Sequence, residues 1–398
     1  QAAGDFGNFT ESGHPLYTGG DASKSTLSAG FGALGWGSFG ANAYNRSSGL
    51  GSVAMGFNTV AGPQDSQAGN IDGGNVGQFS AGYASRAIGN ISTATGYRNT
   101  ASGSASVAMG NYNYATGNAT IALGKENWAE GASTVALGFK NHAAGDGAVA
   151  LGQQNIAWGT TNFTAGFENV AGDINAAVGT AGSATAMGTG TTASGRSSFS
   201  ANKNTAASNQ ASAAFGLSTT ADNFGMLAIG VNNSSGIGDT TIDPDNYGGY
   251  YYADGQYTGS PIGVAFVIGN GDINSTNGLA GDNSSNAFVV NYDGSATLSG
   301  ELTIESDARL KSNIISLGST LAKLLLIDGK SYAMKKNEGE SKIGLLAQDV
   351  QKVFPELVKT TNDSNEILSV NYQGLIPVLI NAIKEQQKQI KELKKKLK

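Results

Sequence analysis

The chain has 398 residues, no cysteine, 59 glycines and 14% charged residues, which excludes disulfide staples and thiolate chemistry. No run of about 18 apolar residues is present to cross a membrane as a helix. Residues 1–305 hold 8 Lys+Arg against 20 Asp+Glu, while residues 306–398 hold 16 against 10; the acidic part suits no phosphate backbone, so no nucleic-acid partner is expected.

Residues 1–26 form an N-terminal segment outside any repeat, and an opening on Gln1 rather than Met fits a leader already removed. From residue 27 to about 235 the chain is periodic. Gly82, Gly96, Gly110, Gly124, Gly138, Gly152 and Gly166 recur every fourteen residues. A second series, Gly89 to Gly159, lies halfway between them, and Asn99, Asn113, Asn127, Asn141, Asn155 and Asn169 form a third. Between the glycines apolar residues alternate with alanine, as in Val107-Ala108-Met109 and Ile121-Ala122-Leu123. Alternation predicts strand rather than helix, with glycine and asparagine supplying positive φ at the turns. Strand, turn, strand and turn in fourteen residues is one coil of a parallel β-solenoid, stacked at about 4.8 Å. The pattern loosens after Gly172 and ends near Gly230, giving on the order of fifteen coils. Glycine at every third position is absent, which excludes collagen, and the GGxGxD pattern of calcium-binding rolls is absent too. Ordering a coil costs more than two medium apolar side chains return, so side-by-side packing of several copies is expected.

The unit "SVAMG…YATG" and "TVALGFKNHAAG" resembles the head repeat of YadA-like trimeric autotransporter adhesins. The resemblance implies a left-handed β-roll, three chains around one axis, and surface attachment through a cell-surface receptor or glycan. Those adhesins close in a membrane β-barrel anchor, a pattern not read here.

Residues 236–304 break the period. Tyr247, Tyr250, Tyr251, Tyr252 and Tyr257 crowd a loop and are candidate receptor-contact residues, since tyrosine recognises sugars and apolar faces. Packing of that loop onto the trimer is the alternative. Asp243 and Asp245 flank Pro244, read first as a solvated turn rather than a Ca²⁺ site. Residues 263–304 read as short strands with a hairpin turn at Asp293-Gly294. His14 and His142 stand alone, so no metal and no cofactor are expected.

Residues 305–398 differ in kind: lysine-rich, glycine-poor and helical in pattern. "SDARLKSNI" and "IGLLAQDVQKVFPELV" resemble the endosialidase-type intramolecular chaperone, a self-cleaving serine peptidase family of phage tail spikes, tail fibres and some bacterial surface proteins. The resemblance implies Ser306 as nucleophile and Lys311 as general base, cutting between Glu305 and Ser306. A serine hydroxyl needs a base, and lysine serves only where burial or positive charge lowers its pKa. Arg309 is a candidate to hold Lys311 neutral and Asp307 to orient the site. By spacing alone, Ser306 and Asp307 equally read as helix caps. Over 375–398, Ile376, Ile383, Ile390 and Leu397 repeat by seven, with Leu379, Gln386 and Leu393 between them, a coiled-coil seam. Isoleucine with leucine in such a seam by itself favours two strands; three comes from the resemblance.

Together these parts predict a mainly β, homotrimeric solenoid fibre, extracellular on a phage tail or bacterial surface. Its C-terminal chaperone is α-rich and seeds assembly before cutting itself off. The alternative is a tail spike that hydrolyses a surface polysaccharide, which needs two carboxylates about 5–9.5 Å apart; the repeat carries few, among them Glu126, Glu130 and Glu168.

Overall fold

The computed structural model describes residues 17–19, 32–33, 38–41, 44–62, 76–175, 182–234, 250–251, 257–258, 263–273, 281, 283–335, 337–361 and 366–397. The chain divides into two compact units, Gln1–Leu302 and Thr303–Lys398.

In the first unit each fourteen-residue period makes one coil: a five-residue strand, a corner, a two-residue strand and a second corner. Val107–Asn111 and Tyr114–Ala115 make one coil, Ile121–Lys125 and Trp128–Ala129 the next. Long strands pair with long strands in parallel, Val107 opposite Ile121 and Met109 opposite Leu123. Short strands do the same, Tyr114 opposite Trp128. Every sequence position therefore becomes a column along the stack. The short strands form a 13-stranded sheet. This is fewer than the period predicts because the ladder skips. Val53 pairs with Phe79 and Phe163 with Thr185, 26 and 22 residues apart rather than fourteen. After Leu227–Val231, strand Val264–Asn270 pairs in parallel with it, Phe266 opposite Leu227. Asn286–Asn291 and Ala296–Leu298 then return antiparallel. The expected turn between them is present: Gly294 has φ +85° and Ser295 N donates to Asp293 Oδ1 at 2.8 Å. Tyr292 OH donates to Phe224 O at 2.6 Å, tying this hairpin to the last coil.

The interior of a coil is too thin for large side chains. Ala94, Ala108, Ala122, Ala136 and Ala150 point inward from the long strands, Ala101, Ala115, Ala129 and Ala143 from the short ones, all 0% exposed. Alternation then sends Val107, Met109, Ile121, Leu123 and their equivalents outward, where they are half-buried or exposed.

The asparagine series lies in the corner between long and short strand but does not supply the positive φ there. Positive φ falls one residue earlier, at Tyr112, Glu126 and Lys140, each +56°. Asn113, Asn127 and their equivalents are buried instead, and they form a ladder. Asn113 Nδ2 donates to Met109 O at 2.8 Å, Gly124 O at 2.7 Å and Asn99 Oδ1 at 3.0 Å. Buried amides are thus satisfied along the axis. The two glycine series also have different causes. Gly110 has both a φ of +117° and close approach, a Cβ on it falling 2.1 Å from Gly124 O, whereas Gly103 is held by close approach alone: a Cβ there would lie 1.7 Å from Gly117 O.

The second unit mixes helix and hairpin where the sequence reads as helical. After α1 (Leu321–Leu324), strands Lys330–Met334 and Asn337–Gly344 pair antiparallel. After α2 (Ala347–Val353), strands Val358–Thr360 and Leu368–Val370 do likewise. α3 spans Leu375–Lys396. Val350, Phe354 and Val378 form a small core with Leu324, Ile327 and Val370. Thr320 Oγ1 donates to Val378 O at 2.8 Å, and Thr320 N donates to Glu385 Oε1, fastening α1 to α3. Only Leu375, Val378 and Ala382 of α3 are buried. The heptad positions Ile376, Leu379, Ile383, Ile390, Leu393 and Leu397 are exposed, from 43% to 87%.

Candidate self-cleavage site

Residues 303–307 carry no regular element, and Asp307 begins a single 3-10 turn over Ala308–Leu310. Its Oδ1 accepts from Arg309 N at 2.8 Å, the capping role that the spacing allows. The same carboxylate takes the Arg309 side chain, with Nη2 2.6 Å from Oδ2. These hydrogen bonds hold the Asp307 carboxyl below its usual range and push the Arg309 guanidinium up. Arg309 therefore faces Asp307, and the pair braces the turn.

Across that turn Lys311 Nζ reaches back to Ser306. It lies 2.6 Å from Oγ and 3.0 Å from the carbonyl oxygen. An ammonium at that place donates to the hydroxyl; a neutral amine could accept its proton over the same distance. Glu305, Ser306, Asp307, Arg309 and Lys311 are all exposed in the single chain. Lysine turns into a base near neutral pH only where water is excluded or positive charge is close. Leu302, Ile304, Leu310, Ile314 and Ile315 flank the dyad in sequence, each at least 60% exposed. Covering these side chains would dry the dyad.

The tyrosine segment is partly described. Tyr250 pairs with Thr258 and Tyr251 with Tyr257 in a two-stranded antiparallel ribbon. Tyr247 and Tyr252 lie outside the described residues, as do His14, Asp243 and Asp245. His142 sits on a short strand, its ring between Trp128 and Trp158 at 5.8 and 5.7 Å. Its Nε2 is 3.1 Å from Glu130 Oε2, and Glu126 stands between Lys125 and Lys140 at 3.4 and 3.6 Å. No described helix is long and apolar enough to cross a membrane.

Both units of the chain resemble known families. Residues 306–359 match the profile described as chaperone of endosialidase, Peptidase_S74. Overlapping windows at 87–113, 101–127, 115–141, 129–155 and 143–160 match the YadA head domain repeat. The chain carries both modules. The long tail fiber protein Gp37 of Salmonella phage S16 is 35% identical over 122 residues, covering 29% of this chain and 16% of that protein. The Gp37 of Enterobacteria phage T2 is 33% identical over 180 residues, covering 43% of this chain and 12% of that protein. For Enterobacteria phage K3 the figures are 39% over 100 residues, 24% and 8%. The aligned stretches thus span a small part of these relatives' length.

Proposed function

We propose that the chain is the shaft and assembly tail of a homotrimeric phage tail fibre that attaches the virion to a cell surface. In this reading residues 27–235 form the shaft, 236–304 a connector with the tyrosine segment, and 305–398 the chaperone. One observation carries it: the large apolar side chains of the roll lie outside the coil, in one stripe on the long-strand face. Val107, Met109, Ile121, Leu123, Val135, Leu137, Val149 and Leu151 are there, none fully buried. Covering what remains exposed returns about 1 kcal/mol for each, or about 8 kcal/mol per chain over these four coils alone. That is comparable to the roughly 4–15 kcal/mol that association costs, before the other coils are counted. Among the described residues nothing fully covers this stripe or the heptad face of α3. The helical ends meet first, because coiled-coil association is local and fast while parallel strand pairing is slow. The roll then zips from that seed. Burial of Leu302, Ile304 and Leu310 in the assembly dries Lys311. Neutral Lys311 takes the Ser306 hydroxyl proton as Oγ attacks the Glu305 carbonyl carbon. The Glu305–Ser306 C–N bond breaks with the proton passing to the leaving Ser306 amine, and water hydrolyses the resulting ester to part the chains. Release of the chaperone makes the fibre kinetically stable.

A denaturing gel of freshly expressed protein tests the cleavage. Wild type yields a 93-residue fragment beginning at Ser306, identified by mass spectrometry. Ser306→Ala and Lys311→Ala stay full length, and Lys311→Arg does too, because a guanidinium does not give up its proton. Full-length wild type removes the cleavage step; a monomer in sedimentation removes the fibre.

A further inference from the structure

The repeat brings two columns of chemically distinctive side chains together at one corner of the roll. Tyr112, Glu126 and Lys140 occupy successive positive-φ corners. Tyr114, Trp128 and His142 occupy the outward position of successive short strands, in register. Between the columns lies a groove of about 360 Å³ lined by Tyr112, Tyr114, Glu126, Trp128 and Lys140. We propose that this groove binds a pyranose unit of a surface glycan, which deepens the attachment reading above and rests on it.

Ring geometry separates this groove from the other aromatic column. Phe57, Tyr83 and Tyr97 stack nearly parallel, at 10° and 9°, and cover one another's faces. Tyr114 and Trp128 meet edge to face at 62°, and Trp128 and His142 at 74°. An edge-to-face contact covers less of a ring face than stacking does, and Trp128 is 47% exposed, against 42% for Phe57 and 41% for Tyr83. The C–H face of a sugar packs on such a ring, and its hydroxyls need both acceptors and donors beside it. Glu126 offers a carboxylate and Lys140 an ammonium at that position, 3.6 Å apart and so already balanced in charge. Tyr112 is oriented by Arg98, whose Nη1 donates to its hydroxyl at 2.7 Å. The volume is at the small end of ligand pockets, about 300–1,000 Å³, which suits one or two sugar units rather than a protein segment. A second copy of this chain has the uncharged long-strand stripe to dock on, whereas this corner is rimmed by charge.

The full chain is applied to an array of purified bacterial surface polysaccharides and, separately, to whole cells. Wild type binds at least one polysaccharide and is displaced by the free methyl glycoside of a sugar within it. Trp128→Ala weakens that binding about tenfold or more, equivalent to about 1.4 kcal/mol. Glu126→Gln, which leaves the rings in place, weakens it several-fold, and Phe57→Ala on the stacked column leaves it unchanged. Wild-type affinity in both groove variants, or no polysaccharide bound by wild type, overturns the proposal. Cells bound equally by wild type and Trp128→Ala also overturn the groove but leave attachment standing. Wild type that adsorbs to no cell overturns attachment itself.

Discussion

Replacing Asn127 by alanine tests the buried amide ladder directly. The Asn127 amide nitrogen donates to Leu123 O at 2.9 Å, Gly138 O at 2.7 Å and Asn113 Oδ1 at 3.0 Å. Its oxygen accepts from Asn141 N at 3.0 Å and Asn141 Nδ2 at 3.1 Å. Asn141 Nδ2 keeps other acceptors, at Leu137 O and Gly152 O. The groups most affected are therefore the Asn141 backbone N–H and the Leu123 and Gly138 carbonyls. At about 1 kcal/mol for each hydrogen bond, and more where a buried group stays unpaired, the loss is roughly 3–5 kcal/mol per chain. Asn127→Asp should cost more still, since a carboxylate cannot donate and faces the Asn113 oxygen in a dry interior. Asn118→Ala is the control: its exposed oxygen accepts only from Ser104 N, at 3.1 Å. The assay is urea unfolding of the purified protein followed by circular dichroism, with hydrogen exchange to localise the loss to neighbouring coils. Asn127→Ala as stable as Asn118→Ala, or Asn127→Asp no worse than Asn127→Ala, would refute the reasoning.

Other consequences follow from the same columns. Gly103→Ala, whose Cβ would sit 1.7 Å from Gly117 O, should abolish soluble folded protein, while Gly300→Ala, with nothing within 4 Å, should express as wild type. Ile121→Asp together with Leu123→Asp places charge on the outward stripe and should give monomers in sedimentation velocity; Lys125→Asp, at the exposed end of the same strand where a charge already stands, should not. The Asp307 carboxyl, held low by Arg309, should keep its cap throughout mildly acidic solution. The sign is that of a depressed carboxyl: the interaction is complete above the ordinary carboxylate pKa and is lost as pH falls through the lower folded value. An NMR titration of the Arg309 amide should show this, and a midpoint at or above the ordinary aspartate value would contradict the pairing.

Much of the roll was legible because a repeat writes its geometry into local spacing. The Gly89–Gly159 series marks one corner of each coil, the Gly82–Gly166 series falls inside the long strands at a positive-φ position rather than at a turn, and the alternation at Val107–Met109 marks the long strand itself. The hairpin at Asp293-Gly294 was legible for the same reason. The short-strand column of Tyr114, Trp128 and His142 is written fourteen residues apart, but the variety of the outward positions obscures it. The hairpins of the second unit were not legible, because short apolar runs such as those around Ile343 and Leu368 have no period long enough to separate strand from helix.

The order of residues by itself determined the fourteen-residue coil, its parallel stacking and the change of character at residue 305, since each depends on neighbours close in sequence. The tertiary structure decided which face of each strand turns inward. Only alanine-sized side chains fit a coil this narrow, so the larger ones go out and asparagine goes in, where the next coil supplies its partners. It also decided that Lys311 reaches Ser306, because a braced turn at Asp307 and Arg309 folds five residues back on themselves.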